Sequence, residues 1–139
     1  MTEIFADTSG WGCLFDAAQT HHALAVNLYR NARLNHHKII TTNYVLTELV
    51  ALLSSPLRFP RTQTIKLIKS LRDSPYIDIL HIDLTTDQQS LDLFCQRPDK
   101  QWSLVDCSSF VVMQQREIHE ALTTDHHFEQ AGFTCLLKS

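Results

Sequence analysis

The sequence predicts an α/β domain in which a parallel β-sheet is covered by helices on both faces. Three observations lead there. Short, largely apolar runs of strand length recur at 4–6, 38–41, 76–81, 121–123 and 134–137. Longer segments between them carry apolar residues at helical spacing. Gly and Pro are scarce, 3 and 4 in 139 residues, which leaves little chain for long irregular loops. Strands separated by helices pair in parallel, because the crossover helices return the chain to the same sheet edge and cover its faces.

Ile4-Phe5-Ala6 reads as a buried strand ending on Asp7, and Thr8-Ser9-Gly10 as the turn after it. Ala25, Leu28, Tyr29 and Ala32 mark a helix over 21–34. The strand 38–41 leads to Thr42 or Asn43, either of which can cap a helix carrying Val45, Leu46, Leu49, Val50 and Leu53. Ser54-Ser55-Pro56 ends that helix, and 54–62 is the expected exposed junction. A helix over 62–71 places Ile65, Ile68 and Leu71 on one face, with Lys66 and Lys69 on the other. After the strand 76–81, a helix over 84–96 stacks Leu91, Phe94 and Cys95, and Pro98 stops it. Ser103 opens a helix over 104–116. The strand 121–123 runs into Thr124-Asp125, one or two helical turns follow to Gly132, and 134–137 is the last strand. The length fits one domain over 1–139.

Composition excludes several classes. Apolar residues make up 44% and charged residues 19%, which supports a packed core and not disorder. The formal net charge is −3, so a protein that simply coats nucleic acid is excluded and any such contact must be local. The N-terminus has no basic start and no apolar run, and the longest aliphatic run, 49–53, is far too short to span a membrane. Cys13, Cys95, Cys107 and Cys135 form no C-x-x-C pair and read as reduced core or near-core residues of a cytoplasmic protein.

In an open parallel sheet, ligands bind outside the carboxyl ends of the strands. Asp7 ends the first strand and Asp125 follows the fourth, so both face the same edge. Asp106 lies in the first turn of a helix, and Glu48 lies inside an otherwise apolar one. Each has a structural alternative: a turn residue for Asp7, a polar helix edge for Glu48, a capping box with Ser103 for Asp106, a helix cap for Asp125. Brought together, four carboxylates repel one another and their pKa values rise. A hard divalent cation, Mg²⁺ or Mn²⁺, removes that conflict and brings hydrolytic chemistry to a phosphodiester.

Four blocks decide between these readings. Phe5-Ala6-Asp7-Thr8-Ser9, 41–49 with Glu48, 103–110 with Asp106, and Ala121-Leu122-Thr123-Thr124-Asp125-His126-His127-Phe128 together resemble the PIN-domain family, and more narrowly its VapC-type toxin ribonucleases. All four stand in order over essentially the whole chain. The resemblance implies a three-layer α/β/α sandwich and Mg²⁺- or Mn²⁺-dependent endonucleolytic cleavage of RNA. It implies that Asp7, Asp106 and Asp125 are metal ligands and that Glu48 binds metal directly or through water. It places Ser9 and Ser108 where they can hold a carboxylate or a water. It implies a homodimer inhibited by a small antitoxin.

Arg58, Arg61, Lys66 and Lys69 surround Phe59 and form either an RNA-contacting surface or a solvated helix face. The pairs His21-His22, His36-His37 and His126-His127 do not suggest structural zinc, because adjacent side chains are expected to diverge. His127, near Asp125, is the histidine of interest. The competing class is a non-catalytic PIN-fold module that binds RNA or protein, which retention of all four acids disfavours. A phosphatase using Asp7 as nucleophile is disfavoured because dehalogenase-like enzymes place a second Asp where Ser9 stands.

Overall fold

The computed structural model describes residues 2–138. Among them the elements run β1 (Glu3–Ala6), α1 (Thr8–Phe15), α2 (His22–Leu34), β2 (Lys38–Thr42), α3 (Asn43–Ser54), α4 (Arg61–Asp73), β3 (Ile77–Leu80), α5 (Leu84–Gln96), α6 (Leu104–Gln115), β4 (Glu120–Leu122), α7 (His127–Gln130) and β5 (Thr134–Cys135). The strands form one parallel sheet in the order β3-β2-β1-β4-β5. α1 packs on α2 and α3, α3 on α4, and α5 on α6. The architecture is the α/β/α sandwich that the pattern of strands and helices predicts.

The topology positions the site. The chain winds outward from β1 through β2 to β3, then returns to the other side of β1 as β4 and β5. The winding direction reverses between β1 and β4, where Ala6 pairs with Leu122. Helices that leave two adjacent strands in opposite directions open a crevice at the strands' carboxyl ends. Asp7 and Thr123 are the first residues past these two strands.

Thr8-Ser9-Gly10 is not a turn but the start of α1, which Asp7 caps by accepting from Gly10 N at 2.9 Å. Gly10 and Gly12 lower the intrinsic helix propensity of this segment and hide it from the sequence pattern. Tertiary packing explains them. α1 lies so close to β4 that a Cβ on Gly10 would stand 1.9 Å from Leu122 O. α1 also buries Trp11 completely, with Nε1 donating to Thr41 Oγ1 and that hydroxyl donating to Ala6 O.

Thr42, not Asn43, caps α3 by accepting from Val45 N, and Val45, Leu46, Leu49 and Leu53 form its buried face. Val50, expected in the core, is 42% exposed, and Ile65 on α4 is 44% exposed. α4 instead buries Thr64 and Leu71. On α5 the buried residue is Ser90, while Leu91, Phe94 and Cys95 are exposed, contrary to the expected apolar stack. Helical periodicity identifies an apolar stripe, but the neighbouring helix, here α6, selects which side of it is covered. Cys13, Cys107 and Cys135 are buried as expected. Burial pushes the Cys107 and Cys135 thiols up to about 11, which leaves them inert as nucleophiles. The last strand is shorter than 134–137, ending at Cys135.

Phe110 anchors the layer beneath the crevice. It packs edge-on against Trp102 at 5.0 Å and against Phe128 at 4.9 Å, and Phe128 reaches Phe5 of β1 at 6.3 Å. This aromatic cluster ties α6 and α7 to the central strand and fixes the segment that carries Asp125.

Candidate active site at the sheet switch point

Asp7 is the most constrained of the acids. It is buried, and both of its oxygens are held: Oδ1 accepts from Gly10 N (2.9 Å) and Ser9 Oγ (2.8 Å), Oδ2 from Thr123 Oγ1 (2.7 Å). Burial pushes its carboxyl from 3.8 up to about 7. The three hydrogen bonds oppose that rise, and the charge of Asp125 adds to it.

Asp125 follows β4 at the same edge and is half-buried. Its backbone N–H donates to Thr123 Oγ1 (3.0 Å), and its Oδ1 accepts from His127 N (2.9 Å). Thr123 therefore links the two strand-end acids, with its hydroxyl on Asp7 and its oxygen under the Asp125 amide. Asp106 forms the capping box that its spacing from Ser103 suggests, with reciprocal bonds of 3.0 Å between side chain and backbone. That structural role does not remove it from the crevice. Burial raises its pKa, the bond from Ser103 opposes the rise, and Asp125 pushes it up further. Glu48 projects from the second turn of α3 and accepts from Thr8 Oγ1 of α1. Thr8 is the residue next to Asp7, so this bond brings Glu48 to the Asp7 side of the crevice.

His127 Nδ1 lies 3.3 Å from Asp106 Oδ2 and 3.2 Å from Asp125 Oδ1, standing between the two carboxylates. His126 Nδ1 lies 3.8 Å from Asp125 Oδ1. The adjacent imidazoles thus converge on Asp125, with ring centroids 4.5 Å apart, and do not diverge as expected from sequence. The start of α7 turns the chain sharply enough to bring both to one carboxylate.

The crevice suits a hard cation. Among the described residues, no Lys or Arg pairs with Asp7, Glu48, Asp106 or Asp125, although ion pairs such as Lys38–Asp78 and Arg97–Asp99 form elsewhere. Two of these acids have raised pKa values, with burial as the largest cause. Carboxylate oxygens are donors for a divalent cation, and the imidazoles of His126 and His127 add nitrogen donors beside Asp125.

Thr8 and Thr123 are site residues that the sequence did not single out. The only signal available was a hydroxyl beside each acid, in Asp7-Thr8-Ser9 and Thr123-Thr124-Asp125. Ser9 holds Asp7, whereas the Ser108 hydroxyl donates to Val105 O in its own helix, at 2.6 Å. Of the basic residues around Phe59, Arg61 and Lys69 line a groove of about 580 Å³ between α3 and α4, joined there by Arg72. Arg58 and Lys66 do not line it.

Comparison with known proteins gives concordant results. A family model for the PIN domain matches residues 4–134. The 23S rRNA-specific endonuclease VapC20 of Mycobacterium tuberculosis (strain H37Rv) is 28% identical over 130 residues, 94% of this chain and 95% of the relative. The same relative from strain CDC 1551 / Oshkosh matches equally. The crystal structure of M. tuberculosis VapC20, a Sarcin-Ricin loop cleaving toxin, superposes with a TM-score of 0.84 at 27% identity, covering 94% of this chain and 96% of that one.

Proposed function

The chain belongs to the PIN-domain family, and from that premise we propose that it is a divalent-metal-dependent endoribonuclease, the toxin of a toxin–antitoxin pair. The observation that carries this reading is the gathering of acids at the β1/β4 switch point without a Lys or Arg partner. In this reading Asp7, Asp106 and Asp125 hold Mg²⁺ or Mn²⁺, and Glu48 holds it directly or through water. The ion supplies positive charge to the phosphodiester oxygens and lowers the pKa of water. The chain's own residues provide the alignment. Ser9, Gly10 N–H and Thr123 aim the Asp7 carboxylate. Thr8 occupies Glu48 Oε1, which leaves Oε2 to accept a hydrogen bond from the attacking water. His127 steadies Asp106 and Asp125 against each other.

The relatives act on 23S rRNA, so a structured ribosomal RNA hairpin is the substrate of first choice here. The reading includes one PIN-like domain over 1–139 that works in the cytoplasm as a homodimer and is held inactive by a small antitoxin. Among the described residues, no helix is long and apolar enough to cross a membrane. The test is cleavage of such hairpins with Mn²⁺, with EDTA, and with Mn²⁺ restored. Cleavage that stops in EDTA and returns with the metal supports the reading. Cleavage that persists in EDTA contradicts it, and cleavage of no RNA at all favours a non-catalytic binding module.

Arg61, Lys69 and Arg72 supply the local positive surface that an acidic protein needs to hold RNA. Val50 and Ser54, on the same helix as Glu48, form the groove's other wall. Replacing each cation with Ala is expected to raise KM with little change in kcat. Each replacement should also flatten the dependence of log K on log salt by about 0.7–0.9. RNA-binding titrations between low and moderate salt measure this, and an unchanged slope identifies a solvated helix face.

A further inference from the structure

Beside the acidic crevice lies a second cavity of about 440 Å³, within the size range of small-molecule sites. We propose that it is a nucleobase pocket, which receives the base of a nucleotide flanking the scissile phosphate and sets the sequence preference of cleavage. The proposal rests on the reading of this chain as an RNA-cutting enzyme.

Position is the first argument. Ser9 and Thr124 line the cavity and adjoin two of the acids. Ser9 Oγ donates to Asp7 Oδ1 at 2.8 Å and accepts from Thr124 N at 3.0 Å, and Thr124 directly precedes Asp125. A phosphate held at the acids therefore has this cavity as its immediate neighbour.

Wall chemistry is the second. Among the described residues, no Asp, Glu, Lys or Arg lines the cavity. A phosphate would find no cationic partner there, whereas a neutral heterocycle would find apolar surface and a polar edge. Leu52 and Leu57 form the apolar part. Gly12 lets α1 come close to this wall, since a Cβ there would stand 3.1 Å from Leu52 Cδ2.

The polar edge is the third. Gln19 is fixed by its Nε2, which donates to Asp16 Oδ2 at 3.0 Å, so its amide oxygen remains an acceptor. Asp16 is itself held by Ala18 N. His21 also lines the cavity, but its Nε2 is enclosed by protein, so a ligand there would meet the ring through Nδ1. The neighbouring His22 is held apart from it, with Nδ1 2.8 Å from Cys13 O. An acceptor on Gln19 and an imidazole nitrogen on His21 can read the edge of a splayed-out base, the usual mode of sequence-specific RNA recognition.

The test uses RNA hairpins that differ only at the nucleotides beside the cleaved bond, including an abasic ribose there. Wild type is expected to discriminate among bases and to cut the abasic hairpin at least tenfold less efficiently. His21→Phe and Gln19→Leu, each checked for folding by thermal melt, should reduce that discrimination about tenfold while cutting the abasic hairpin at the wild-type rate. An abasic hairpin cut as well as its parent overturns the proposal, as does unchanged base preference in both variants. Should wild type cut no RNA, the parent reading fails, and the pocket is then judged separately. In EDTA, RNA tetranucleotides titrated into the ¹⁵N-labelled chain should move the His21 side-chain resonances with one base and not with an abasic analogue. Resonances that stay still with every base reject the pocket.

Discussion

Asp7→Asn is expected to abolish RNA cleavage and, in the metal-free chain near neutral pH, to stabilise the fold. The two effects have opposite sign and one cause. Asp7 is buried, and its carboxyl is pushed from 3.8 up to about 7. Protonated Asp7 therefore contributes stability that is fully present below about pH 4 and lost as pH rises through about 7. At about 1.4 kcal/mol per unit, the loss reaches up to about 4 kcal/mol at pH 8. Asparagine cannot ionise, so it removes this pH dependence. It also alters the bond from Thr123 Oγ1, which offsets roughly 1–2 kcal/mol of the gain. Urea melts in EDTA at pH 5 and pH 8 measure the outcome. The stability difference between variant and wild type should move in favour of the variant as pH rises. A difference that does not change with pH removes the buried charge from the account. For catalysis, losing a metal ligand forfeits several kcal/mol of transition-state charge stabilisation. That corresponds to a fall in kcat of roughly 10³-fold or more.

Gly10→Ala is expected to destabilise the chain by about 3 kcal/mol or more, and to weaken cleavage with it. On helix propensity alone the change should help by about 1 kcal/mol. Packing decides the sign. The new Cβ would lie 1.9 Å from Leu122 O and 2.9 Å from Leu122 C, and these are backbone atoms of β4 that cannot swing aside. α1 must move away from the sheet, and the overpacking cost exceeds the propensity gain. The shift also pulls Gly10 N from Asp7 Oδ1 and disturbs the approach of Thr8 to Glu48. Chemical denaturation and cleavage assays on the same protein test both consequences. A variant at least as stable as wild type would show that α1 does not press on β4.

These two residues also show what the sequence can and cannot reveal. Asp7 and Asp125 are legible because a strand that ends on a carboxylate fixes where the carboxylate goes. The bounds of α5, Leu84–Gln96, coincide with those read from periodicity. α1 is not legible, because Gly10 and Gly12 look like turn residues until β4 is in place beside them. The outward faces of α4 and α5 are ambiguous for the same reason: Ile65, Leu91 and Phe94 follow helical spacing, but the neighbouring helices cover other sides. Asp106 shows that a capping box and a place in the crevice can coincide, since the carboxylate bonded to Ser103 also meets His127 at 3.3 Å. Thr8 and Thr123 escape sequence reading because their partners lie 40 and 116 residues away. The convergence of His126 and His127 depends on the backbone path into α7, which spacing alone does not describe.

The central claim is that these four carboxylates form one divalent-cation site. Calorimetric titration of Mn²⁺ into wild type and into Asp7→Asn, Glu48→Gln, Asp106→Asn and Asp125→Asn tests it most directly. Wild type should show saturable binding, and each of the three Asp variants should bind more than about 100-fold more weakly or not at all, beyond the loss usual for groups that only orient a ligand. Glu48→Gln should weaken binding less if that residue acts through water. Equal Mn²⁺ affinity in wild type and Asp125→Asn, or no binding to wild type, would contradict the account.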